Sequence, residues 1–80
     1  MANEELKEKL RAIVAEIAEI DEVPDGTPFK DLGIDSMMAI EIIADVERAY
    51  RIKIPESELE QVVDLESVVT LVAAKLAAKS

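Results

Sequence analysis

The sequence predicts an all-α fold, a bundle of three longer helices and one short one. Three observations carry that expectation. Apolar residues recur at spacings of three and four in three separate stretches, the period of a helix with one buried face. The one extended-looking run, Ile52-Lys53-Ile54, has no second strand to pair with. And a chain of 80 residues buries only about 60% of its unfolded surface, so nearly every large aliphatic side chain is needed for one core. Residues 1–80 are therefore expected to form a single domain.

The first helix is expected to start at Asn3 as N-cap, with Glu4 and Glu5 in the opening turn where the helix dipole favours negative charge. Leu6, Leu10, Ile13, Val14 and Ile17 make its buried face, and it should end near Ile20. Pro24, Gly26 and Pro28 then break the pattern, leaving a long acidic loop to Asp35 with Phe29, Leu32 and Ile34 as anchors. Its carboxylates, Asp21, Glu22, Asp25 and Asp31, do not match the spacing of a twelve-residue calcium loop, so no metal site beyond weak cation association is expected. Asp35 or Ser36 caps a second helix running to about Arg51. After the extended link, Pro55 takes the first position of a short third helix, with Glu56 and Glu58 in its first turn and Leu59, Val62 and Val63 as apolar contacts. Asp64 caps the last helix, whose face is Leu65, Val68, Val69, Val72 and Leu76 and whose end carries Lys75 and Lys79.

Composition excludes several function classes. There is no histidine and no cysteine, so the commonest general base, the commonest metal ligand and any thiolate chemistry are missing. Eighteen acidic residues against nine basic give a net charge of −9, which disfavours nucleic acid and anionic membranes and suits basic patches on protein partners. The N-terminus lacks a signal-peptide pattern and no stretch approaches the roughly 20 apolar residues of a membrane span. A cytoplasmic protein is expected.

The second helix carries more than packing. At about 100° per residue from Ser36, Ala39, Ile42, Ile43, Val46 and Tyr50 form a core arc, and Glu41, Asp45 and Arg48 form a polar one. Met38 falls beside the polar arc. Ser36, Met37, Ile40, Ala44, Glu47 and Arg51 form a mixed strip. That strip is either the edge of a broad core face or an exposed apolar patch rimmed by acids, the usual mark of a partner surface. Ser36 itself has three readings. As a nucleophile it lacks a histidine base. As a helix cap it is ordinary. As an attachment point it would place a phosphodiester at the positive end of a helix, facing free backbone N–H groups. Gly33 supplies a tight turn before it.

Leu32-Gly33-Ile34-Asp35-Ser36-Met37, together with Glu41, the Val46-Glu47 pair, Tyr50 and Ile54-Pro55-Glu56, resembles the acyl carrier protein family over essentially the whole chain. The resemblance implies a four-helix carrier without catalytic residues. In it a phosphopantetheinyl transferase moves 4'-phosphopantetheine from coenzyme A to Ser36, and the thiol of the arm holds acyl groups as thioesters for fatty-acid or polyketide enzymes. It further implies that acyl transferases, ketosynthases and other acyl-processing enzymes with basic docking patches read Asp35, Met37, Ile40, Glu41, Ala44, Glu47, Glu56 and Glu58. An acyl chain would tuck past Ile43, Val46, Ile54, Leu59 and Val62. A carrier that visits many enzymes is expected to be a monomer. Met37 replaces the usual leucine, Met38 is apolar where fatty-acid carriers have a polar residue, and Arg48, Arg51 and Lys53 dilute the acidic face. The Ser36-Met37-Met38-Ala39-Ile40-Glu41 run leans toward polyketide-synthase carriers, and the departures together point to a specialised lipid or polyketide carrier beside the fatty-acid one. A peptidyl or aminoacyl carrier, or an unmodified acidic interaction domain, remain the alternatives.

Overall fold

In a computed structural model, residues 2–79 are described, with side chains from Glu4 onward. Three α-helices, α1 (Ala2–Ala18), α2 (Ser36–Tyr50) and α3 (Leu65–Lys79), are joined by segments that each contain a 3-10 helix, Phe29–Leu32 and Glu56–Gln61. No strand occurs among the described residues. The bundle is all-α, as the periodicity predicted.

α1 packs against both α2 and α3. Leu6, Leu10 and Val14 meet Ile42, Ile43 and Val46 of α2 and Leu65, Val68, Val69 and Val72 of α3 in one core. Ile13, Ile17 and Leu76 are half-buried at its edge. Val23, Phe29 and Ile34 bring the long loop into the same core, while Leu32 is only partly buried. Ile52 and Ile54 are buried and Lys53 between them is exposed, so the link after α2 reads as extended chain lying on the bundle.

Element ends differ from expectation in instructive ways. The backbone is already helical at Ala2, so Asn3 lies inside α1, and its capping side chain is outside the described residues. α1 stops at Ala18, two residues early, because Glu19 turns left-handed (φ 57°) and Ile20 N–H donates back to Ala15 O at 3.1 Å. α2 stops at Tyr50 in the same manner, with Arg51 left-handed (φ 55°). Neither stop uses glycine, the usual residue for this conformation, so the sequence lacked its ordinary signal. The short third helix is a 3-10 helix that Pro55 precedes rather than opens. The Phe29–Leu32 helix was not foreseen. Asp64 caps α3 as expected: its Oδ1 accepts from Ser67 N–H at 2.8 Å, and Ser67 Oγ accepts from Val63 N–H at 3.0 Å.

The loop is also clamped by charge. Asp25 accepts from Lys7 Nζ at 2.9 Å and from Arg11 Nη2 at 2.6 Å, while Arg11 Nη1 donates to Val23 O. Glu66 N–H of α3 donates to Asp25 O at 3.3 Å. One aspartate thus ties the loop to α1 and to α3. The hydrogen bond from Lys7, then that from Arg11, holds the Asp25 carboxyl below the usual carboxylate range. A carboxylate whose pKa is depressed on folding stabilises the fold fully above its unfolded pKa of about 4, and that contribution disappears as pH falls through the folded value. Asp25→Asn should therefore melt below the wild type at pH 7, and the two melting temperatures should converge as the pH falls through the lowered folded-state value of Asp25. A gap that persists unchanged into acid would exclude the clamp as its cause.

Candidate functional site

The N-terminus of α2 is built by a tightly held approach. Phe29 N–H donates to Val63 O at 2.7 Å, and Ile34 N–H donates to Phe29 O at 3.0 Å, fixing the turn between two buried side chains. Gly33 between them has φ 80°, and a Cβ there would meet no atom within 4 Å. Glycine is needed for its backbone conformation, not for space. The chain then reaches Asp35, which is the N-cap: extended backbone, with Oδ1 accepting from Met38 N–H at 2.9 Å. The backbone carbonyl of Asp35 takes Ala39 N–H at 2.9 Å. Of the two capping candidates, the aspartate does the capping.

Ser36 is thereby released from structural duty. It is the first residue of α2, is exposed, and its hydroxyl has no partner among the described residues. The N–H groups of Ser36 and Met37, like those of any first helical turn, have no partner within the helix and face the solvent around that hydroxyl. With the positive end of the helix dipole behind it, the position suits an oxygen that bears an anionic substituent.

Beside Ser36 the mixed strip separates into two parts. Met37 is 72% exposed and Ile40 54% exposed, so neither completes the core. Glu41 and, on the second 3-10 helix, Glu56 also face solvent, and Ala44 is half-buried. Glu47 is different. Its Oε2 accepts from Ile54 N–H at 2.7 Å, holding the extended link against α2. Glu58 is different too, because Lys75 of α3 sits 2.9 Å from its carboxylate. Two of the acids assigned to partner recognition are thus tied into the fold, leaving Asp35, Met37, Ile40, Glu41 and Glu56 as the open surface. Met38, expected beside the polar arc, is half-buried against the core. Its flexible thioether chain reaches inward across the helix edge.

A family of proteins defined by the phosphopantetheine attachment site matches residues 8–72. The chain belongs to that carrier family. It is 38% identical over 73 residues to the polyketide-8 synthase acyl carrier protein 2 of Streptomyces avermitilis, which covers 88% of this chain and 84% of that one. It is 32% identical over 81 residues to an acyl carrier protein of Guillardia theta, covering 98% of this chain and 100% of that one. A non-reducing polyketide synthase of Emericella nidulans is 40% identical over 70 residues, but the chain spans only 3% of that protein's length. The acyl carrier protein of Thermotoga maritima shares the fold, with a TM-score of 0.87 and 23% identity over 100% of this chain and 96% of that one.

Residues 8–72 are accordingly an acyl-carrier domain, and its cofactor is 4'-phosphopantetheine. When bound, that group supplies the thiol on which acyl groups are held. The residues at the start of α2 fit it: an open hydroxyl, unpaired N–H groups and no side chain crowding Gly33. Of the five residues expected around an acyl chain, Ile43, Val46 and Ile54 are buried and Leu59 and Val62 are half-buried against the same cluster. All five belong to, or pack against, the one hydrophobic core cluster. No group of three or more acidic side chains placed to hold a metal occurs among the described residues. No helix among them is long and apolar enough to cross a membrane.

Proposed function

We propose that Ser36 is the residue that carries the 4'-phosphopantetheine, and that residues 1–80 act as one monomeric carrier domain in the cytoplasm. The observation that carries this reading is the exposed, unpartnered hydroxyl at the first position of α2, with Asp35 taking the capping role. A phosphopantetheinyl transferase would form the Ser36 Oγ–P bond as the P–O bond to the nucleotide half of coenzyme A breaks. The serine proton leaves to the transferase or to water, since this chain has no histidine to take it.

The partners are the transferase, acyl transferases and ketosynthases presenting basic surfaces to Asp35, Met37, Ile40, Glu41 and Glu56. The polyketide carriers among the relatives, with Met37 and Met38, support polyketide assembly over housekeeping fatty-acid synthesis. The test is to modify the protein with coenzyme A and a broad-specificity transferase, then offer it acyl transferases and ketosynthases of both kinds. Faster acylation and extension by the polyketide enzymes is expected; preferential service to the fatty-acid enzymes would overturn the assignment.

Charge reversal separates the two kinds of glutamate. Glu41→Lys should reduce kcat/KM of the transferase by about tenfold, mainly through association, and leave the melting temperature unchanged. Glu47→Lys should instead lose the bond to Ile54 N–H and destabilise the fold by about 1–3 kcal/mol in urea titration. Equal stability losses from both substitutions would contradict this division.

A further inference from the structure

The bundle has a second open surface, away from Ser36. A groove of about 1020 Å³ runs between α1 and α3. Its floor is apolar and its small side chains leave it shallow: Ala12 from α1, Ala73 and Leu76 from α3, and Tyr50 from the end of α2. One margin is acidic, made by Glu4, Glu5 and Glu8, with Lys9 the one cation among the lining residues. Tyr50 ends the helix that Ser36 begins, so the groove lies about 20 Å from Ser36 along α2 at 1.5 Å per residue. Anything seated there leaves the Met37–Ile40 surface free.

Two features mark this groove as unfinished. The Tyr50 hydroxyl oxygen is closed off from solvent yet has no hydrogen-bond partner among the described residues. A buried hydroxyl left unpaired is unfavourable, and a rotation of the Tyr50 side chain, which lines the groove, would bring it within reach of an entering group. Glu4 and Glu5 likewise form no ion pair with a described residue, and Glu8 shares its charge only with Arg11 at 3.2 Å. The margin therefore keeps a net negative field over an apolar floor.

We propose that the groove docks an amphipathic helix of a partner protein, with small or medium aliphatic side chains on its buried side and Lys or Arg along the margin facing Glu4 and Glu5. From Glu4 to Ala12 the α1 wall is about 12 Å long, which matches two turns of such a helix. Aliphatic anchors at spacings of three and four fill the space above Ala12 and Ala73, and the cationic margin answers the acidic one. A second copy of this chain is a poorer occupant, because its net charge of −9 and the acids on its own α1 repel the same margin.

Selection of a displayed library of 14-residue helices, randomised on both faces, against the phosphopantetheinylated protein tests this. The enriched sequences should combine an aliphatic stripe with a basic margin. On ¹⁵N-labelled protein the best peptide should shift the amides of Ala12, Tyr50 and Ala73 while those of Met37 and Ile40 stay still. Ala12→Gln, an exposed and helix-compatible change that narrows the groove, should weaken the peptide about tenfold, as should Glu4→Lys with Glu5→Lys. Enriched helices without a basic bias, or affinity unmoved by Ala12→Gln, overturn the proposal. So does a footprint on Met37 and Ile40. Groove shifts that appear with protein concentration and no peptide would make a second copy the occupant and overturn it equally.

Discussion

Ser36→Ala is expected to abolish acyl loading completely while leaving the fold almost untouched. Serine at a helix start usually contributes capping, and its loss then costs about 1 kcal/mol. Here the cap is the Asp35 carboxylate on Met38 N–H, and Ser36 occupies the first helical position with an exposed, unpartnered hydroxyl. Alanine is the best helix former, so the substitution should change unfolding free energy by less than about 0.5 kcal/mol. Treatment with coenzyme A and transferase, followed by an acyl donor, should give no acylated product, against full conversion of the wild type. Asp35→Ala gives the opposite pattern. It should remove about 1 kcal/mol of stability and slow modification without preventing it, because the helix start loosens while the hydroxyl remains. Urea titration and a loading assay on the same samples distinguish the two. A Ser36→Ala protein that unfolds would mean the hydroxyl is structural after all.

Leu10→Ala should be the most damaging single substitution in the core. Leu10 is fully buried on α1, the helix that packs on both others. Truncating a buried leucine costs about 2–5 kcal/mol. At roughly 0.05–0.15 kcal/mol per residue, a domain of this size has only about 4–12 kcal/mol to lose. The variant should lose about a sixth of its stability at the least and most of it at the upper end, seen as a lower urea midpoint with little change in slope. Ile40→Ala is the control. Its side chain is 54% exposed, so it should change stability by less than about 0.5 kcal/mol while weakening partner enzymes. If Ile40→Ala is as destabilising as Leu10→Ala, the strip beside Ser36 belongs to the core.

Most of the bundle could be read from the sequence because burial along a single helix follows a fixed period. Leu6, Leu10 and Val14 on α1 and Ile42, Ile43 and Val46 on α2 lie where their spacing put them. The same wheel set Met37 and Ile40 outside the core arc but left open whether they widen the core face, and the structure exposes both. What the sequence did not reveal are contacts between residues far apart in the chain. Glu47 looked like a surface acid because its partner, Ile54 N–H, belongs to a link that folds back on the helix. Glu58 and Lys75 are 17 residues apart, and Asp25 and Lys7 are 18. Nothing in local spacing distinguishes a solvated carboxylate from one waiting for such a cation. The Phe29–Leu32 helix escaped for a related reason: it is held by Phe29 N–H on Val63 O, across more than thirty positions. The two left-handed helix ends, at Glu19 and Arg51, lack the glycine that usually announces them.

The attachment residue is the central claim, and one digest tests it. Trypsin should release Asp31–Arg48 as a single peptide, bounded by Lys30 and Arg48, in which Ser36 is the only hydroxyl side chain. After incubation with coenzyme A and a transferase, intact mass should rise by one 4'-phosphopantetheine per chain, and the whole increment should appear on that peptide. No increment, or one carried by a peptide containing Ser57, Ser67 or Thr27, would contradict the assignment.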